Sequence, residues 1–372
     1  MSILGISCGF HDAAITLVNP KGDIVFAGHS ERYSKNKHDA HISMGLLNEI
    51  KGHYIDTVAY YERPLIKQLR QLRSGQGIEW KKLTVNKIIK DECAPWLPNK
   101  PKRIKSYNHH LSHAAAGFQT SSFTRATVVV IDAIGEFDTI SIWGAEYNHM
   151  GTASYKLLWK QQYPHSIGLF YSAMTKRIGL QPLDEEYIMM GMAAYGQPTY
   201  ENEMKSRIIE NEYTLLFKEN LHLGIDKTQF SDIDEYDLAA STQKLTENLI
   251  YNVMYRARKL NWSKNLVYMG GVALNCLANR SLGAYFDNIW IMPNPGDAGS
   301  SLGAAALAFG RRLNWHNAYL GHEISGAYPT NRLLDSLLSD GIVGVASGRA
   351  EFGPRALGNR SLLADPRGPH IK

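Results

Sequence analysis

The feature that most constrains this chain is a strand pattern that occurs twice. Residues 2–28 read as three short strands, ILGISCG, AAITLV and DIVFAG. A first turn holds Gly9, His11 and Asp12, and a second, NPKG, is a hairpin signal. Residues 126–162 repeat the plan: ATVVVID, the polar turn AIGEFD, TISIWGAEY, the turn NHMG, then ASYKLLWKQQ. Two such copies predict two similar lobes. The first turn of each lobe then points into a shared cleft, where its backbone N–H groups can meet phosphate.

Paired lobes of this kind predict an α/β, actin-like two-lobe ATPase fold of the sugar-kinase and Hsp70 type, with two unrelated meanders as the alternative. The lobes fall at about 1–125 and 126–330. Beyond the repeats the pattern turns helical. Residues 237–260 carry Leu238, Leu245, Leu249, Val253 and Met254 on one stripe and read as a surface helix of the second lobe. PWLPNKPKR at 95–103 is a proline-rich connection. Residues 265–271 and 288–292 read as buried parallel strands, and 342–345 begins another. GDAGSSLGAAALAFGRR, from Gly296, reads as a helix with small residues on its packing face.

Composition sets limits on function. With 372 residues, 44% hydrophobic and 20% charged, the chain can build a large core. No apolar run approaches the roughly 20 residues that cross a bilayer. The N-terminal MSILGISCGFHDAA lacks the basic region of a signal peptide. A cytoplasmic location is expected, with no membrane partner. Cys8, Cys93 and Cys276 form no CxxC pair and read as reduced space-fillers. A net charge of +5 helps an anionic substrate approach without implying nucleic acid, which is not an expected partner. The most basic stretch, 63–90, includes Lys67, Arg70 and Arg73 among Leu65, Leu69 and Leu72 at helical spacing. It reads as a solvated helix face, with a nucleic-acid patch as the alternative.

Four constellations carry chemistry. In NHHLSHAAAGF, His109 and His113 are four apart and share a helix face, as two imidazoles on one metal would; His110 and His113 are also compatible. A buried structural pair is the alternative. Asp297, at the start of a predicted helix, is either a further ligand or an ordinary N-cap. Asp132, at the end of a strand, is another candidate ligand. Two histidines with one or two aspartates suit iron, manganese or zinc.

The second constellation is YMGGVALNCLANR, where Gly270 and Gly271 allow close approach of a nucleotide and Asn275 can meet ribose or base. A tight strand-to-helix turn is the alternative. DAIGE, with Asp132, Gly135 and Glu136, is the phosphate-facing turn of the second lobe. The third is ERYSKNKHD, a charged loop that is either solvated or anion-binding. The fourth is GRAEFGPRALGNRSLLADPR, where Arg349, Arg355 and Arg360 suit an ordered loop gripping an oxyanion, or else a plain surface loop.

As a set, these segments resemble the O-carbamoyltransferases that decorate nodulation factors, cephem antibiotics and aminoglycosides. GFHDAAITLV, ERYSKNKHD, NHHLSHAAAGF, DAIGEFDTISIW, PHSIGLFYSAMTKRIGLQPLDEEYIMMGMAAYGQP, YMGGVALNCLANR, NPGDAGSSLGAA and GRAEFGPRALGNRSLLADPR occur in the family's order across essentially the whole chain. The resemblance implies that residues 1–330 are an actin-like domain, similar to tRNA threonylcarbamoyl-transfer proteins, and that 331–372 begin a domain forming carbamoyl-adenylate from carbamoyl phosphate and ATP with magnesium. It implies transfer of the carbamoyl group to a hydroxylated small molecule, assisted by a divalent metal, iron first and manganese or zinc otherwise. The metal ligands map to His109, His113, Asp132 and Asp297. Contacts to carbamoyl-adenylate map to Lys37, Ser166, Arg355, Asn359 and Arg360. His11 or Asp12 is the candidate general base.

The sequence also departs from the family. Ala133 stands where glycine is usual, Ile188 where lysine is usual, and Ser30 replaces an acidic residue. Most of the activating domain is expected to lie beyond Lys372, to have been lost, or to be supplied by a separate chain, with a homo-oligomer as the alternative partner. The alternatives are threonylcarbamoyl transfer to tRNA on the same fold and a non-catalytic nucleotide-binding subunit.

Overall fold

The computed structural model describes residues 2–93, 97–226 and 228–368. Pro95 and Trp96 of the expected proline-rich connection lie outside the described residues. The first repeat forms β1 (Ile3–Ser7), β2 (Ala14–Val18) and β3 (Ile24–His29), joined by β4 (Thr57–Tyr60) and β5 (Arg103–Ser106). Their order across the sheet is β3-β2-β1-β4-β5. β2 and β3 run antiparallel as a meander, whereas β4 and β5 lie parallel to β1.

The second repeat forms β6 (Arg125–Gly135), β7 (Asp138–Tyr147) and β8 (Ala153–Gln162). A two-stranded ribbon, β9 (Ile209–Asn211) and β10 (Leu216–Phe217), follows. β11 (Asn265–Met269) and β12 (Asn288–Trp290) then complete a sheet ordered β12-β11-β6-β7-β8. The meander is again antiparallel and the last two strands again parallel. The chain thus builds one sheet topology twice, the actin-like two-lobe α/β fold.

Two helices fill the space between the sheets. His109–Thr120 packs on β6 and β11, and Ser300–Phe309 packs on β1, β2 and β4; the two helices pack against each other. Their small residues make this approach possible. A Cβ on Gly303 would lie 1.8 Å from the Ser112 carbonyl oxygen, and one on Gly5 would lie 1.9 Å from that of Ser301. One apolar core joins the first sheet to both helices through Leu4, Ile15, Val58, Phe118 and Leu302. A second, with Ile131, Phe170, Met174, Leu245 and Leu249, lies under the helices Ile167–Arg177 and Glu235–Lys259. The C-terminal part adds β13 (Tyr319–Ile324), the helix Thr330–Asp340, β14 (Ile342–Ala346), β15 (Gly348–Glu351) and β16 (Arg360–Ala364), paired as β13–β15 and β14–β16. No helix among the described residues is long and apolar enough to cross a membrane.

Three local expectations change. AIGEFD is not all turn: β6 runs through Gly135 past an irregularity, and only Glu136 and Phe137 connect it to β7. β12 is a sheet edge, so Asn288 and Ile289 are exposed rather than buried. The helix Pro64–Arg73 faces the other way round. Leu65, Leu69 and Leu72 are exposed, and Lys67 and Arg70 are buried. Lys67 Nζ is 2.7 Å from the buried Glu62 carboxylate, and Arg70 Nε donates to the Glu136 carbonyl at 3.2 Å. These partners satisfy the inward cations, without which their burial would be costly.

Candidate metal centre

Four ligand-bearing residues converge from three elements. Asn108 caps the helix His109–Thr120, its side chain accepting from Leu111 N at 2.9 Å. The cap fixes the first turn, so His109 and His113 project from one face toward the cleft. Asp132 follows Ile131 in β6, and Asp297 opens the single turn that precedes the helix Ser300–Phe309. Asp297 makes no capping hydrogen bond there. Its carboxylate is aimed at the histidines instead, with Oδ1 3.2 Å from both His109 Nε2 and His113 Nε2.

The set fits one cation. His109 Nε2 lies 3.1 Å from His113 Nε2 and 3.3 Å from Asp132 Oδ2, and all four ligand atoms lie within 4.8 Å of one another. Donors about 2.0–2.2 Å from a metal are separated by roughly 3–3.5 Å. All four residues are buried. Burial pulls the two imidazoles down, but the two carboxylates more than offset this and raise both. Asp132 and Asp297 are held below the usual carboxylate range by the histidines, despite the opposing effect of burial on both and of Asp297 on Asp132. Two ionised carboxylates and two imidazoles thus meet at one buried point, where a divalent cation would take the place of the protons that the imidazoles hold.

Outer contacts orient these ligands. The His113 ring nitrogen Nδ1 donates to the Pro295 carbonyl at 3.0 Å, which makes Nε2 the nitrogen that faces the cluster. His109 Nδ1 faces Glu62 Oε2 at 3.5 Å. Gly271 N donates to Asp132 Oδ1 at 3.3 Å, and Gly270 supplies the left-handed backbone (φ 91°) beneath it. Gly135 packs against both His109 and His110, whose Cδ2 atoms would lie 2.4 and 2.6 Å from an added Cβ. His110 itself turns away and bonds Ser141 Oγ at 2.8 Å, so it is not one of the four. Burial holds its pKa down at about 3.

His11 and Asp12 stand beside the cluster. His11 Nε2 is 3.7 Å from Asp297 Oδ2, and its Nδ1 is 2.9 Å from Asp12 Oδ2. Other candidates are occupied within the fold. The Glu136 carboxylate is paired with Arg63 and accepts from Asn108 Nδ2 and His109 N, filling the N-terminus of the histidine helix. Asn275 exchanges hydrogen bonds with Gln243 and caps Ala278 N. Ser166 Oγ donates to the Ala133 carbonyl at 2.8 Å and caps the helix Ile167–Arg177, bracing the end of β6.

Lys37 is exposed and paired with Asp184. Ile188 lines an open apolar groove of about 590 Å³ with Gly191, Met192, Tyr195 and Tyr236. The arginine-rich loop lies in the C-terminal part. Arg355 is over the Tyr187 ring at 5.7 Å, and Asn359 Nδ2 donates to the Arg349 carbonyl. The Arg360 guanidinium donates to the carbonyls of Ser347, Gly348, Asn359 and His322.

Comparison with known proteins matches residues 46–306 to the carbamoyltransferase N-terminus. The chain belongs to the carbamoyltransferase family. The carbamoyltransferase C-terminus matches residues 334–372. An uncharacterized protein of Synechocystis sp. is 32% identical, over 98% of this chain and 71% of its own length. Nodulation protein NolNO of Sinorhizobium fredii is 30% identical over 96% of this chain, which spans 58% of that relative. Among solved structures, the activator of the 2-hydroxyisocaproyl-CoA dehydratase from Clostridium difficile, with bound ADPNP, aligns over 83% of the chain at 16% identity and a TM-score of 0.46.

Four residues of this carbamoyltransferase escaped sequence reasoning. Glu62 and Lys67 form a buried pair behind His109. His38 and Asp184 complete a chain of contacts behind Asp12. The only signal for His38 was its place in ERYSKNKHD. Asp184 lies far along the chain, and its only signal was its place in the matching segment PHSIGLFYSAMTKRIGLQPLDEEYIMMGMAAYGQP.

Proposed function

We propose that this chain is the metal- and nucleotide-binding part of an O-carbamoyltransferase. The carbamoyl group passes from carbamoyl phosphate, by way of ATP-derived carbamoyl-adenylate, to a hydroxyl of a small-molecule acceptor in the cytoplasm. Family membership supports the reaction class, and the observation that carries the reading is the buried cluster of His109, His113, Asp132 and Asp297. These residues would hold iron, manganese or zinc. Such a cation supplies Lewis acidity at the carbamoyl oxygen or the acceptor hydroxyl.

The chain's own groups do the rest. His11, held by Asp12, takes the proton of the acceptor hydroxyl through Nε2 as that oxygen attacks the carbamoyl carbon. The bond to the adenylate phosphate oxygen breaks and AMP leaves. Lys37 exchanges Asp184 for the phosphate and neutralises it. The end of β6 at Asp132, Gly135 and Glu136 and the turn at Gly270, Gly271 and Asn275 bound the nucleotide side of the cleft by their backbone, the Glu136 and Asn275 side chains being held within the fold, with ATP carrying magnesium. Residues 1–330 form the transferring domain and 331–372 begin the adenylate-forming one, which also brings Arg355, Asn359 and Arg360.

The test supplies purified protein with carbamoyl-adenylate, a panel of hydroxylated metabolites and iron(II), manganese or zinc. Metal content and carbamoyl mass gain are both measured. His113→Ala is expected to lose the metal and the transfer while keeping its circular dichroism spectrum. Wild-type protein that takes up none of the three metals, or a variant that transfers as fast, overturns the reading.

A further inference from the structure

Behind His11 runs a line of side chains from separate segments. Asp12 Oδ2 is 2.9 Å from His11 Nδ1, and Asp12 Oδ1 is 2.8 Å from His38 Nδ1. His38 Nε2 is buried, with no closer hydrogen-bond partner than Asp184 Oδ1, 3.4 Å away. The same Asp184 oxygen holds Lys37. An ionised carboxylate only accepts, so each imidazole must present an N–H to Asp12. In the neutral ring this puts the His11 proton on Nδ1 and leaves Nε2, which faces Asp297, able to accept one.

The backbone holds this arrangement in place. Gly9 N donates to the Ala40 carbonyl and Ala13 N to the Asp39 carbonyl, both at 2.7 Å, lashing the first turn to the segment after His38. His38 N donates to Glu31 Oε2 at 3.2 Å. Asp12 and His38 both adopt left-handed backbone, φ 53° and 54°. Non-glycine residues keep that conformation where surrounding contacts over-determine it, often at functional sites. Here the result is that two side chains from different loops meet at one carboxylate.

We infer that His38 is a positioning residue for carbamoyl transfer: it anchors Asp12, and Asp12 in turn holds the His11 ring in the tautomer and orientation that leave Nε2 able to take the acceptor proton. Asp184, from the loop ahead of the helix Glu186–Met192, anchors the far side of His38. The inference rests on the proposed transfer reaction for its consequence, and on the geometry alone for the control of His11. It is consistent with the titration of the groups: the hydrogen bond to Asp12 raises His38 to about 9, against a smaller opposing effect of burial.

The test separates the two parts. The full chain is labelled with ¹⁵N-histidine, and the His11 signals are assigned by their loss in His11→Gln. Spectra are taken at alkaline pH, where the ring is neutral. Wild type is expected to show His11 protonated at Nδ1. His38→Ala is expected to shift it toward the other tautomer, with an unchanged circular dichroism spectrum. His38→Asn, whose amide can still donate to Asp12, is expected to restore it and also covers the case in which the alanine variant fails to fold.

In the transfer assay, His38→Ala is expected to lower kcat roughly 10- to 100-fold, the usual loss on removing an outer partner of a functional histidine, with KM for carbamoyl-adenylate little changed. His38→Asn should recover most of that loss. An unaltered His11 tautomer in His38→Ala overturns the inference. A shifted tautomer in a protein that transfers no carbamoyl group supports the control of His11 and overturns the reaction proposed for it.

Discussion

Glu351 shows how one carboxylate can organise a loop that seemed built for a ligand. Its Oε1 accepts from Leu357 N and Asn359 N at 2.9 Å and from Arg360 N at 3.2 Å. The residues of GPRALGNRS therefore wrap an internal anion, and Arg360 spends its guanidinium on backbone carbonyls. Burial pushes the Glu351 carboxyl up, but these amide hydrogen bonds outweigh it and lower the pKa. The sign of the pH effect follows. A carboxylate with a lowered folded pKa contributes stability above its unfolded value, about 4.3, and loses it as pH falls through the folded value. Amide exchange at Leu357, Asn359 and Arg360 should thus lose protection as the pH falls through that lowered folded value, after allowance for the intrinsic rate, and Glu351→Ala should show the same loss at neutral pH. Full protection in the alanine variant would mean that the loop is held by other contacts.

At the scale of elements, the helix Ser300–Phe309 sets where Asp297 stands. It lies close enough to the histidine helix that Gly303 touches the Ser112 carbonyl. Gly303→Ala must push the helices apart, an overpacking cost of about 1–3 kcal/mol, and should move Asp297 off His113. The expected result is a lower Tm together with at least tenfold weaker zinc binding by calorimetry; unchanged zinc affinity would show that the helix does not position the ligand. The two meanders, β1–β3 and β6–β8, and the strands β11 and β12 were legible in the sequence because short apolar runs between turn residues leave few other readings; β4 and β5, which complete the first sheet, were not, being four residues each with no flanking repeat to mark them. His109, His113, Asp132 and Asp297 were legible as a set through helical spacing and strand ends, aided by the family resemblance. The orientation of Pro64–Arg73 was not, because leucine periodicity marks a face without saying whether charged partners such as Glu62 and Glu136 wait on the other side. Nor was Asp184, whose contact with His38 exists only once the two lobes are assembled.

At the scale of the whole molecule, the buried cluster of His109, His113, Asp132 and Asp297 lies where the lobes meet. Its two histidines come from the helix between the sheets, Asp132 from the second sheet and Asp297 from the turn that leads back to the first. A cation bound there stabilises only the assembled form. Zinc at 100 times its Kd is expected to add about 2.7 kcal/mol to unfolding stability, read by urea titration with and without the metal. Asp297→Asn should gain much less at the same zinc concentration, and an equal gain would place the bound zinc elsewhere. The return of the chain to its first sheet has a further consequence. β1, β2 and β4 are covered by Ser300–Phe309, and Thr16 Oγ1 meets Ser301 Oγ at 2.9 Å. On the ribosome, the first sheet must therefore wait with one face bare while roughly 200 more residues are made, about ten to forty seconds at ordinary elongation rates. During that interval the nascent lobe is an apolar surface in need of a chaperone, and a stalled or clipped product ending before Ser300 should be recovered bound to one.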